Sequence, residues 1–166
     1  MRIKFSIGII LVLFFYSCNS KELIENSFTT ESAQYKIIFP KNFDKSNDNY
    51  IEVIGYKSKF DSVIGKNRQP ILYVFIEDTI IGHDTDLITL IENNKIDYGE
   101  YSVYDEKFKI PEKILMNKKG KYKLTVAVLD FVFNDTIKAN PSNIHDEDKL
   151  EIDLLDSRSY HDITID

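Results

Sequence analysis

The run NKKGKYKLTVAVLDF constrains this chain more than any other stretch of it. Tyr122, Leu124, Val126 and Val128 alternate there with Lys121, Lys123, Thr125 and Ala127. Successive side chains of a strand point to opposite faces, so a period of two predicts a half-buried strand. Its apolar face meets a core and its polar face meets water or a partner. Short runs of the same character surround it, each bounded by turn residues. YKIIF ends at Pro40, KNFDKSNDN reads as a loop, and YIEVIGY follows. A polar loop then passes Gly65 and Asn67 to Pro70. ILYVFI (Ile71 to Ile76) is apolar throughout, the pattern of a strand buried on both faces. EYSVY and KFKIP come next, and KLEIDLL (Lys149 to Leu155) alternates again through Leu150, Ile152 and Leu154. DLITLIENN keeps two readings. Leu87, Ile88, Leu90 and Ile91 fall at helical spacing, yet Ile88 and Thr89 are β-branched, so short helix and irregular strand both stand. About seven strands predict an all-β fold, a single antiparallel β-sandwich over residues 35–166.

The chain begins differently. Arg2 and Lys4 give a positive start, and Phe5 to Tyr16 is apolar apart from Ser6 and Gly8. That run is shorter than the roughly 20 residues that span a bilayer. It matches the apolar region of a secretory signal, about 7–15 residues long. Ser17 and the lone cysteine, Cys18, follow it. From Met1 to about Glu22 the chain resembles a bacterial lipoprotein precursor, with Phe15 where leucine is usual. The resemblance implies a signal peptide over residues 1–17 and lipidation of Cys18, whose acyl chains would hold the protein to a membrane. Asn19, in place of an aspartate, implies delivery to the outer membrane, and SKE resembles the charged tags of surface-exposed lipoproteins. The competing reading is a secreted chain cut beside Ser17, with Cys18 a spare thiol. Residues 18–34, polar and without sustained apolar period, read as the lipidated cysteine and a flexible tether. An irregular first strand using Leu23, Ile24 and Phe28 is the alternative there.

KFKIPEKILMNKKGKYKLTVAVLD (Lys107 to Asp130) resembles the later strands of bacterial immunoglobulin-like and macroglobulin-like sandwiches. In those families a strand ends near a proline, a loop ends in glycine, and a G-x-Y strand follows. Gly120 and Tyr122 match, and the resemblance implies that Tyr122 anchors the loop as a tyrosine-corner residue does. The cysteine pair and tryptophan of true immunoglobulin domains are missing.

Removing 17 residues from 166 leaves 149, enough for one domain with a core. The removed segment holds Arg2 and Lys4 and no acid, so net charge moves from −6 to −8. Such a domain repels phosphate backbones, which argues against nucleic-acid binding. Each histidine precedes an aspartate: His83–Asp84, His145–Asp146 and His161–Asp162. Imidazole and carboxylate suit zinc, but strand neighbours point to opposite faces, and solvated loop residues are the plainer explanation of the pairs. Asp44, Ser46 and Asp48 occupy the first, third and fifth positions of a calcium loop. Asn49 then stands where glycine is needed and Gly55 where glutamate is needed, which excludes an EF-hand. An improvised cation site would use Asp44 and Asp48, or His145, Asp146 and Asp148 in the acidic run HDEDKLEID. A charged loop guarding an edge strand is the plainer explanation of that run. No cofactor is expected.

The chain has no G-x-S-x-G elbow and no glycine-rich phosphate loop. SRSYHD puts Ser159 and His161 close together, on what reads as a C-terminal tail. The function these features favour is a membrane-anchored envelope lipoprotein whose sandwich binds or supports a protein partner without catalysis. A hydrolase of an envelope polymer, using metal or paired carboxylates, is the alternative from another class. An inhibitor or immunity-type lipoprotein is a third.

Overall fold

The computed structural model describes residues 22–62, 67–105, 107–134 and 151–166. In chain order the elements are β1 (Leu23–Thr29), β2 (Ala33–Pro40), β3 (Asn42–Phe43), β4 (Tyr50–Ser58), a 3-10 turn (Lys59–Ser62), β5 (Asn67–Glu77), α1 (Leu87–Glu92), β6 (Tyr98–Ser102), β7 (Lys107–Lys109), α2 (Glu112–Leu115), β8 (Gly120–Asn134) and β9 (Glu151–Ile165). They form two sheets. One has the order β1-β2-β4-β7 and the other β3-β9-β8-β5-β6. All the pairings are antiparallel except the short parallel contact of β3 with β9. The expected all-β sandwich is therefore the fold.

The period of two in β8 explains the core. Leu124, Val126 and Val128 point inward, beside Leu72, Val74 and Ile76 of β5 and Ile163 and Ile165 of β9. Tyr35, Ile37 and Phe39 of β2, Ile51 and Val53 of β4, and Phe108 of β7 face them from the other sheet. Ile114 and Leu115 of α2 are packed into the same cluster. At about 25 cal/mol per Å² of apolar area removed from water, such a cluster is the main source of stability. Gly120 enters β8 at φ +105°, in open space, so the backbone rather than crowding requires glycine there. Tyr122 lays its ring against the core.

The opposite face of β8 departs from the alternation. Thr125 and Ala127 were expected on a polar face, yet they are 1% and 0% exposed. A second apolar cluster covers them. Tyr73, Phe75, Ala127 and Leu129 on the outer face of the five-stranded sheet pack under Ile81 and Leu87, with Ile88, Leu90 and Ile91 alongside. The segment left open between helix and strand is the helix α1. Asp86 caps it by accepting a hydrogen bond from the Thr89 N–H at 3.1 Å. β5 is accordingly buried on both faces, as its continuous apolar run predicts.

Two boundaries also differ from expectation. Most of the described part of the 18–34 tether is β1, paired with β2 along its whole length from Leu23↔Pro40 to Thr29↔Gln34. Phe28 stacks on Tyr35 with ring centroids 4.7 Å apart, a contact whose partner lies on another strand. SRSYHD is no tail. β9 continues through it to Ile165 and pairs with β8 throughout, while Ile152 and Leu154 are exposed on the outer side.

Candidate binding cleft

Among the described residues the five-stranded sheet is incomplete along one side. β3 fills the row beside β9 only at Asn42↔Thr164 and Phe43↔Ile165. The four-stranded sheet reaches past β9 there and ends in β1. The result is a cleft of about 380 Å³ with β9 as its wall and Asn26, Phe28 and Ile37 on its floor. Ser159 and His161, two apart on one strand, present their side chains to the same inner face.

A hydrogen-bonded chain crosses the cleft between the sheets. The Tyr35 hydroxyl donates to Ser159 Oγ at 3.1 Å, and Ser159 Oγ lies 3.1 Å from His161 Nε2. Asn26 Nδ2 sits 3.0 Å from His161 Nδ1. With the amide nitrogen turned toward it, Nδ1 accepts, so the ring proton is on Nε2 and points at Ser159. Both lone pairs of the serine oxygen are then engaged by donors. Burial against Phe39, whose ring centroid is 4.8 Å away, lowers the His161 pKa to about 4 and keeps the imidazole neutral near pH 7. Burial likewise raises the Tyr35 hydroxyl, leaving it a proton donor.

On the outer side of β9, Arg158 is 3% exposed yet fully engaged. It donates to Asp156, to the carbonyls of Ile81 at 3.2 Å and Thr85 at 2.9 Å, and to that of Gly82. It thereby holds the loop leading into α1 over the outer face. Another buried charge group ties the sheets together. Asp130 of β8 accepts from Arg68 Nε at 2.9 Å and Nη2 at 2.7 Å, from the Ser58 hydroxyl at 2.7 Å and from the Tyr56 hydroxyl at 2.9 Å. These contacts are those of a structural clamp.

Of the residues singled out as cation ligands, Asp44 and Asp48 lie among the described ones. The Asp44 carboxylate accepts from the Ser46 N–H at 2.8 Å, from the Ser46 hydroxyl at 2.7 Å and from Asn47, closing its own turn. Asp48 pairs with Lys109 at 2.5 Å. His83 stands on the outer side against Tyr160, whereas His161 faces the inner cleft. His145, Asp146, Asp148 and Cys18 lie outside the described residues. Among the described residues no group of three His, Cys, Asp or Glu is placed to hold a metal, and no helix is long and apolar enough to cross a membrane.

Sequence reasoning undervalued Ser159 and His161 and missed Asn26 and Tyr35. The i, i+2 spacing of SxH was a usable signal once the segment was read as strand. Asn26 and Tyr35 carry no local signal, because each acts across the sandwich. No family model, no curated protein and no solved structure matches this chain.

Proposed function

We propose that this protein is a membrane-anchored envelope lipoprotein whose sandwich is a non-catalytic binding module for a protein partner. The membrane part rests on the Cys18 resemblance. Leu23 lies five positions after Cys18, a reach of at most about 18 Å, so lipidation would keep the β1 end of the sandwich against the bilayer. That resemblance also favours the outer membrane.

The observation that supports the non-catalytic reading is the placement of Ser159 Oγ, which accepts from the Tyr35 hydroxyl and lies 3.1 Å from His161 Nε2, a second donor in the tautomer set by the Asn26 amide nitrogen at Nδ1. A serine nucleophile needs the opposite polarity, a base that accepts its proton. In that tautomer the neutral imidazole donates a hydrogen bond to the serine oxygen instead. The cleft is thus better suited to holding a partner than to attacking one. The 3.1 Å contact of Ser159 with His161 favours a hydrolase as second reading, with the amide of Asn26 turned over so that the imidazole accepts. An inhibitor or immunity role is one form of the binding reading.

Radiolabelled fatty acid should enter the protein and be lost in Cys18→Ser, which should also leave the membrane fraction. Equal membrane retention of both forms refutes the anchor. A fluorophosphonate probe should label neither the protein nor Ser159→Ala. Labelling that is lost in Ser159→Ala would establish the hydrolase.

A further inference from the structure

We propose that the end of the sandwich at which β1 begins rests on a phospholipid surface, with Ile80 and Met116 in the interface, so that the domain stands upright on the membrane. The inference rests on lipidation of Cys18 and goes beyond it, because an anchor alone lets a domain hang at any angle.

The pairings show what lies at that end. Lys41 N–H donates to the Glu22 carbonyl at 2.9 Å, and Thr164 N–H donates to the Lys41 carbonyl at 3.1 Å. Thr164 in turn pairs with Lys121, and Ile165 with Gly120. The register carries the same end across β5 to Glu77, opposite Lys123. In the other sheet it runs from Leu23↔Pro40 to the start of β4, where Tyr50 pairs with Lys109. The start of β1, the end of β9 and the loops 41–49, 78–86 and 110–119 therefore share one end. Lys118 donates to the Ile76 carbonyl and, at 3.0 Å, to Glu77, which ties the loop of Met116 to the place where the 78–86 loop begins. The described residues that flank 63–66 and 135–150 lie at the opposite end, beside Asn67↔Phe133 and Asn134↔Glu151. That end is about 45 Å away along the β8–β9 ladder.

Reach selects the occupant. With Leu23 within about 18 Å of Cys18, the bilayer holding the acyl chains is the surface this end meets. Leu23, Ile80 and Met116 are 62%, 50% and 60% exposed there. Apolar side chains at a membrane interface bury their area at the headgroup boundary, and neighbouring lysines extend their ammonium groups toward phosphate. Lys118 and Lys123 are held by Glu77 and Asp162, which leaves the exposed Lys119 and Lys121 of the same run for the phosphates. Asp78, Glu112 and Asp166 stand at this end too. Its charge is therefore close to balance, and the contact depends on apolar insertion rather than on anionic lipid.

The flanks of the sandwich suit a bilayer less well. Ion pairs Lys36–Glu25 and Lys107–Glu52 cross the outer face of the four-stranded sheet, and α1 covers part of the other outer face. The rival apolar pair, Ile152 and Leu154, is exposed near the opposite end. In the upright pose Ser159 and His161, six and four residues before Ile165, stand about 13–20 Å above the lipid.

The test uses the mature, acylated protein purified from membranes and returned to liposomes of phosphatidylcholine, with and without phosphatidylglycerol. Cys18 is the only cysteine, so once its sulfur carries lipid an introduced cysteine alone takes an environment-sensitive fluorophore. Ile80, Met116, Ile54 and Ile152 are the labelling positions, all exposed, at 50%, 60%, 47% and 47%. Spin-labelled lipid should quench the fluorophore at Ile80→Cys and Met116→Cys at least threefold more than at Ile54→Cys and Ile152→Cys, in both kinds of liposome. Adding Met116→Glu to Ile80→Cys should lower that quenching at least twofold. Either reporter at the anchored end suffices if the other variant does not fold. Cys18 found without acyl chains by mass spectrometry would overturn the anchor and this inference together. With Cys18 acylated, equal quenching at all four positions would mean an unoriented domain, and strongest quenching at Ile152→Cys would mean one lying on its five-stranded sheet. Either result overturns the upright docking and leaves the anchor standing. Quenching at Ile80 and Met116 that requires phosphatidylglycerol, or that survives Met116→Glu unchanged, would overturn apolar insertion.

Discussion

Replacing Arg68 with methionine isolates the clamp that joins the two sheets. The Asp130 carboxylate is completely buried, and the Arg68 side chain is 16% exposed. Arg68 supplies two of the four donors at that carboxylate and its only positive charge. Methionine keeps much of the arginine stem but leaves the carboxylate with two hydroxyl donors in a dry site. Removing one partner of a buried pair costs about 3–5 kcal/mol, chiefly because the other charge stays buried. Asp130→Leu alone should cost less, about 2 kcal/mol, since Arg68 keeps the half-exposed Asp61 at 2.6 Å and some contact with water. The double variant has no stranded charge and should lose only about 1–2 kcal/mol, well short of the sum of the singles. Urea unfolding followed by far-ultraviolet circular dichroism measures all four forms, as the chain contains no tryptophan. For a domain of this size, 4 kcal/mol corresponds to about 8–16 °C in Tm. A double variant as unstable as the summed singles, or an Arg68→Met loss below about 1 kcal/mol, would refute the clamp.

His161 sets an acid limit. Its folded pKa of about 4 lies below the ordinary value of 6.5, so between those values the unfolded chain binds more protons. Stability should therefore fall as pH drops from 6.5 toward 4. The gap corresponds to at most about 3.4 kcal/mol, reduced to about 1.5 kcal/mol by the ring's partial solvation. His161→Gln should show a shallower decline between pH 7 and 4.5, and matching slopes would contradict the assignment. Val126→Asp and Ala127→Asp should both unfold the domain, because each strands a charge in an apolar cluster on one of the two faces of β8. Lys123→Asp, at a half-exposed position paired with Asp162, should cost less than about 1 kcal/mol. Melting curves of the three variants test the facing, and a folded Ala127→Asp would sink the covered-face description.

The all-β fold class and the inward face of β8 were legible in the residues alone. Alternation at Tyr122 to Val128 and the continuous run Ile71 to Ile76 are local patterns, and the core follows them because burial is set by side-chain periodicity. Gly120 was legible for the same reason, as a backbone need carried by one residue. Tertiary structure alone decided the rest. Thr125 and Ala127 read as surface, since nothing near them in the chain announces that α1 lies over them. β1 read as tether because its apolar residues gain their worth from β2, through Phe28 on Tyr35. SRSYHD read as a tail because its polar residues are costly to bury until distant partners satisfy them. Those partners are the carbonyls of Ile81, Gly82 and Thr85 for Arg158, and Tyr35 for Ser159. The cleft belongs to that second class. It exists because β3 stops after Phe43 while β1 runs on, a mismatch between two sheets that no local sequence pattern records.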